Sequence, residues 1–147
     1  MGKYTSLQDS YMSVVKSLEH SAMRVNRKLV LKWVEAGDLE AGMEADNPVR
    51  YHEAWHSVCS ATGILIPGGF GSRGTEGMIS AAAWARSKRV PFLGICLGFQ
   101  VAVIEYARNV CGIKGEWLGD AMGVGFFRFP ARERCTFHHR LGSRPLP

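Results

Sequence analysis

Long hydrophobic runs are missing from this sequence: across 147 residues no stretch approaches the ~18 consecutive apolar residues of a membrane-crossing helix. The N-terminus carries neither a basic start nor an apolar signal core, so a cytoplasmic protein without a membrane partner is expected. Cysteine is scarce as well. Cys59, Cys96, Cys111 and Cys135 form no Cys-x-x-Cys pair, which argues against a disulfide scaffold or a thiolate metal centre and leaves free thiols. The formal charge is +5, but the basic residues are not gathered along one helix with aromatics between them, so no nucleic-acid partner is expected. Much of that excess sits near the end, where Arg128, Arg132, Arg134, Arg140 and Arg144 face only Glu116, Asp120 and Glu133.

What is present is the composition of one globular domain, 46% apolar and long enough to bury a core. Residues 6–23 place Leu7, Tyr11, Val14, Val15 and Leu18 at helical spacing, with Ser6 and Asp9 set like a capping box. Residues 28–34 read as a strand, followed by Gly37, an acidic loop and Pro48. Tyr51, Ala54, Trp55 and Val58 line one face of a short helix, and residues 63–66 read as a buried strand ending at Pro67. Residues 76–88 form a helix whose Met78, Ile79, Ala82, Ala83 and Ala85 keep one side small. Residues 90–95 supply the next strand and residues 97–110 the next helix. Alternating strands and helices imply an α/β fold: an open, mostly parallel sheet with helices on both faces and ligands outside the carboxyl ends of the strands. From residue 115 the texture changes to five arginines, no lysine and no sustained period. The chain divides into a domain over 1–114 and a divergent, irregular tail over 115–147.

The strongest chemical signal is Gly94-Ile95-Cys96-Leu97-Gly98, which follows an apolar run and opens a helical pattern. This resembles the Gly-x-Ser-x-Gly elbow that mounts a nucleophile at a strand-to-helix turn, with a thiol replacing the hydroxyl and the flanking glycines allowing the sharp turn. The positive end of the following helix favours a thiolate, the reactive form, so Cys96 is the expected nucleophile. Attack on an amide carbon needs donors for the oxyanion that forms. The amide of Leu97 is one, and Gly68-Gly69-Phe70-Gly71, also after a strand, can bring a second close because glycine has no side chain in the way. Taken alone, that glycine loop is equally a plain turn or a weak phosphate-binding loop.

Other residues carry blander readings. Cys59 and Cys111 are expected as small core hydrophobes. His52-Glu53-Ala54-Trp55-His56 matches the His-Glu-x-x-His zinc signature, which would make the protein a zinc hydrolase, but no third ligand follows persuasively and a solvated helix face is the simpler reading. No metal is therefore assigned. An acid/base partner for the thiolate is not evident: His20, His52, His56, His138 and His139 stand in no motif with a partnering acid.

Gly2-Lys3-Tyr4-Thr5, Asp9-Ser10-Tyr11, the 63–74 segment Gly-Ile-Leu-Ile-Pro-Gly-Gly-Phe-Gly-Ser-Arg-Gly, residues 91–100 and Ala107-Arg108-Asn109-Val110 closely resemble the class I glutamine amidotransferase (glutaminase) domain of the CTP synthase family. The resemblance covers residues 2 to 114. It implies a flavodoxin-like amidotransferase fold in which Cys96 attacks the side-chain amide of L-glutamine, a glutamyl thioester forms and ammonia is released. Gly68, Gly69 and Phe70 would bind glutamine and its oxyanion, together with Leu97, Gly98, Phe99 and Gln100. It also implies a synthetase domain, lying outside this sequence, that uses ATP and magnesium to aminate UTP to CTP, in a homo-oligomeric full-length enzyme; no cofactor is assigned to the present chain. Phe99 stands where the family usually has methionine, and Met78 where it has lysine. The family's Ala-Asn-Ser-Thr-Glu-Phe segment after Lys114 is absent, and neither His138 nor His139 is followed two residues on by an acid. The resemblance therefore implies a domain truncated at both ends, holding the nucleophile half of the site and inactive as it stands, or a non-catalytic fragment that binds full-length CTP synthase.

Overall fold

The computed structural model describes residues 1–113. The tail assigned to 115–147, with Cys135, His138 and His139, lies outside the described residues.

Among the described residues, five α-helices and two strands follow one another: α1 (Met12–Arg24), α2 (Ala41–Asp46), α3 (Pro48–Cys59), β1 (Ile64–Ile66), α4 (Thr75–Lys88), β2 (Phe92–Gly94) and α5 (Leu97–Asn109). Single 3-10 turns at Gln8–Tyr11 and Ala36–Leu39 complete the order. The strands pair in parallel, with Ile64 opposite Phe92, Leu65 opposite Leu93 and Ile66 opposite Gly94. Because the strands are parallel and α4 connects them, both run toward the same edge, and each hands over to a glycine-rich turn there. On the far side of β1 the N-terminus continues the sheet for one residue. The Met1 ammonium donates to the Leu65 carbonyl at 3.0 Å, and Gly2 bridges Glu35 in parallel.

The core lies between these layers. Ile64, Ile66, Met78, Ala81, Ala82, Ala85, Leu97, Val101 and Ile104 are buried together, joined by Val34, Ala36 and Leu39. The small residues of α4 allow a close approach, as the sequence suggests. At Gly77 an added Cβ would lie 2.3 Å from the Ala36 carbonyl oxygen, so the helix lies directly on the Ala36–Leu39 turn. Glu105 of α5, only 2% exposed, receives a fork of hydrogen bonds of 2.8–3.1 Å from Arg86 of α4, and Asn109 adds another. A buried carboxylate is tolerable in such a place only because the guanidinium fork meets both oxygens.

Three expectations are corrected. Residues 28–34 are not a strand. Only Glu35 pairs, with Gly2 alone, and Val30 is 72% exposed; the alternating pattern finds no ladder to join among the described residues. The Ser6–Asp9 capping box does not form, since the chain enters α1 through the 3-10 turn and neither Leu7 nor Tyr11 at the cap positions makes a side-chain cap bond. The acidic loop after Gly37 holds the short helix α2. Helices α4 and α5 lie within one residue of where periodicity places them, and α3 contains the Tyr51–Val58 face expected of it.

Candidate active site

Only Ile95 and Cys96 separate β2 from α5, so the chain reverses in two residues. Cys96 occupies the N-cap position with φ 54° and ψ −106°, a positive-φ conformation that costs a residue with a side chain about 1–3 kcal/mol. Its thiol is exposed. The flanking glycines have a different purpose from the one the sequence suggests, because neither has a positive φ. A Cβ on Gly94 would fall 2.5 Å from the Gly98 carbonyl, and one on Gly98 would fall 2.1 Å from the Ile66 carbonyl oxygen. The glycines let backbone touch backbone, while the cysteine itself carries the torsional strain.

The loop after β1 reaches the same place. A Cβ added to Gly68 would lie 3.5 Å from Cys96 Cβ and 3.9 Å from its Sγ, so the loop backbone lies against the thiol with no side chain between them. Gly69 is packed between the Leu97 side chain and the Lys3 stem, each 3.4 Å from such a Cβ. Among the described residues, the amide N–H groups of Gly69 and Leu97 have no hydrogen-bond acceptor. Two such donors beside an exposed thiol can receive the negative oxygen that develops when sulfur adds to a carbonyl. The Leu97 side chain and Gly98 are buried, Gln100 is half-buried, and the Phe70 and Phe99 rings are exposed, Phe70 at 73%.

Sequence reasoning did not single out what lies behind the loop. Lys3, 3% exposed, donates through its ammonium to the carbonyls of Phe70 (3.4 Å) and Gly71 and to the Thr75 hydroxyl (3.3 Å). Burial, and then the neighbouring Arg73 guanidinium, push the Lys3 ammonium below its ordinary pKa, with Glu40 opposing them. The Phe70 amide donates to the Tyr4 hydroxyl at 3.3 Å. Arg73 donates to the Lys3 carbonyl at 2.7 Å and pairs with Glu35 at 3.3 Å, while Glu35 accepts from the Thr5 hydroxyl at 2.5 Å. A lysine beside a glycine near a terminus carries no local sign of burial; only its place in the segment Gly2 to Thr5 drew attention to it.

The remaining candidates lie elsewhere. His20, His52 and His56 are exposed, and the His52 ring meets Tyr51 edge-on at 5.4 Å. Among the described residues no three histidine, cysteine or acidic side chains converge as metal ligands. Cys59 and Cys111 are exposed rather than core residues: Cys59 follows Val58, the last buried position of α3, and Cys111 lies beyond the end of α5.

The sequence matches the family model for glutamine amidotransferase class-I over residues 6–146, a span that runs on through the segment set apart as a tail. The "CTP synthase" of Schizosaccharomyces pombe is 70% identical over 117 residues, covering 80% of this chain and 20% of that protein. "CTP synthase 2" of Xenopus laevis is 59% identical over 155 aligned positions, covering 98% of this chain and 26% of that one. The chain thus spans about a fifth to a quarter of the length of these relatives. Among solved structures, the glutaminase domain of Trypanosoma brucei CTPS with bound acivicin superposes with a TM-score of 0.63 at 39% identity, covering 76% of this chain and 40% of that one.

Proposed function

Because the chain belongs to the class I glutamine amidotransferase family, we propose that it carries the nucleophile half of a glutaminase site of the CTP synthase type. The reading rests chiefly on Gly68 lying against the strained, exposed Cys96, with the Gly69 and Leu97 amides unbonded nearby. In this reading the Cys96 thiolate adds to the side-chain carbonyl carbon of L-glutamine, and the oxygen takes the negative charge facing those amides. Collapse of the adduct expels the nitrogen, which leaves with a proton as ammonia, and a γ-glutamyl thioester remains on Cys96. Water then splits the thioester to glutamate and returns the thiolate. Ammonia would pass to a synthetase partner that, as the family resemblance implies, uses ATP with magnesium to aminate UTP to CTP. In this reading glutamine lies against Gly68, Gly69, Phe70, Leu97, Gly98, Phe99 and Gln100.

Protonation of the leaving nitrogen and activation of the water require a histidine oriented by an acid, and the sequence has no His-x-Glu pair. Acylation without this partner is slow, and turnover falls by about three orders of magnitude or more. The test is peptide mapping after exposure to a glutamine-like diazo-ketone. Labelling of Cys96 in preference to Cys59, Cys111 and Cys135, suppressed by L-glutamine, supports the reading; equal labelling of all four refutes it.

A further inference from the structure

The amide of Gly69 is useful to an oxyanion only if its peptide plane is held toward the thiol, yet a Gly-Gly-Phe-Gly loop has little intrinsic preference for one orientation. The N-terminal segment supplies the constraint. A peptide unit is planar, so fixing its carbonyl or its N–H fixes both groups. Tyr4 holds the 69–70 unit through the Phe70 N–H, and Lys3 holds the 70–71 and 71–72 units through the carbonyls of Phe70 and Gly71. The Lys3 stem packs against Gly69, and the Lys3 bond to Thr75 ties the assembly to the first turn of α4. Three consecutive units are clamped. The next one, 68–69, begins at Gly68, which lies against the thiol, and ends in the unbonded Gly69 amide.

We propose that Lys3, with Tyr4, is the positioning residue of this site, clamping the glycine loop so that the Gly69 amide faces the Cys96 thiol. The proposal rests on the glutaminase reading for its chemistry but not for its geometry. Lys3 acts through the loop and does not touch the reacting atoms, and its buried ammonium cannot be replaced by solvent without opening the loop.

The experiment compares the whole chain with Lys3→Met, which keeps the stem and removes the donors, and with Tyr4→Phe, which removes one hydroxyl from the same clamp. Each protein is treated with the diazo-ketone and, separately, with iodoacetamide, which alkylates a thiol without needing an oxyanion donor. Amide hydrogen exchange is followed in the peptide spanning residues 67–74. The expected result for Lys3→Met is diazo-ketone labelling of Cys96 slowed about tenfold or more, an iodoacetamide rate within about twofold of the parent, and faster exchange in 67–74 but not in α5. Tyr4→Phe shifts the same readouts in the same direction by less, and does so even if Lys3→Met fails to fold. Unchanged exchange in 67–74 overturns the clamp, and faster exchange with unchanged diazo-ketone labelling overturns its link to the site. A parent chain that shows no selective labelling overturns the glutaminase reading instead, and the exchange data still decide whether the clamp exists.

Discussion

Cys96 occupies a conformation that suits glycine better, and it does so at the position where the chemistry requires a side chain. Cys96→Gly is therefore expected to melt above Cys96→Ala by a margin worth about 1 kcal/mol, although both abolish labelling; calorimetry on the two variants checks this. The glycine at 98 works in the opposite sense. Gly98→Ala drives a methyl group into the Ile66 carbonyl and should cost at least about 3 kcal/mol, whereas Gly71→Ala, with φ 81° but open space around it, should cost only about 1 kcal/mol; chemical denaturation of both variants measures the difference. The nucleophile was legible because its motif is local. The need for its flanking glycines was misread because the contact that requires Gly98 lies thirty-two positions away in sequence, and the role of Lys3 was not visible for the same reason.

Helices α4 and α5 are joined by charge as well as by packing, and their junction has a pH signature. The Arg86 fork holds the Glu105 carboxyl below the ordinary carboxylate range, burial opposes it and Asn109 assists. A carboxylate held low in the folded state contributes stability that is complete above its unfolded pKa and is lost as the pH falls through the folded value. Thermal melts should therefore decline below about pH 4, and Glu105→Gln should melt lower at neutral pH with a shallower acid slope. Periodicity found these helices because each has one inward face that repeats. It failed for residues 28–34 because an alternating pattern states which side chains could face a core, while a strand exists only where a neighbour offers a ladder.

The described residues leave apolar surface uncovered at the scale of the whole molecule. A groove of about 680 Å³ runs between α1, residues 28–34 and the β1–β2 pair, and Leu93 of β2 is 53% exposed. Such a surface promotes association, so Leu93→Lys should reduce light scattering on concentration without lowering the melting temperature. Fold class was legible at this scale from the alternation of elements, whereas the two-strand width of the described ladder was not. One contact in the interior has a further meaning. The Ile66 carbonyl receives the Ile95 amide at 2.9 Å and is the atom against which Gly98 rests, and the glycine loop leaves from the next residue, Pro67. Both halves of the site are thus gauged from a single oxygen. Main chain sets the dimension between thiol and loop, as a machinist's datum sets every later cut, so the surrounding side chains are free to diverge while that dimension stays constant.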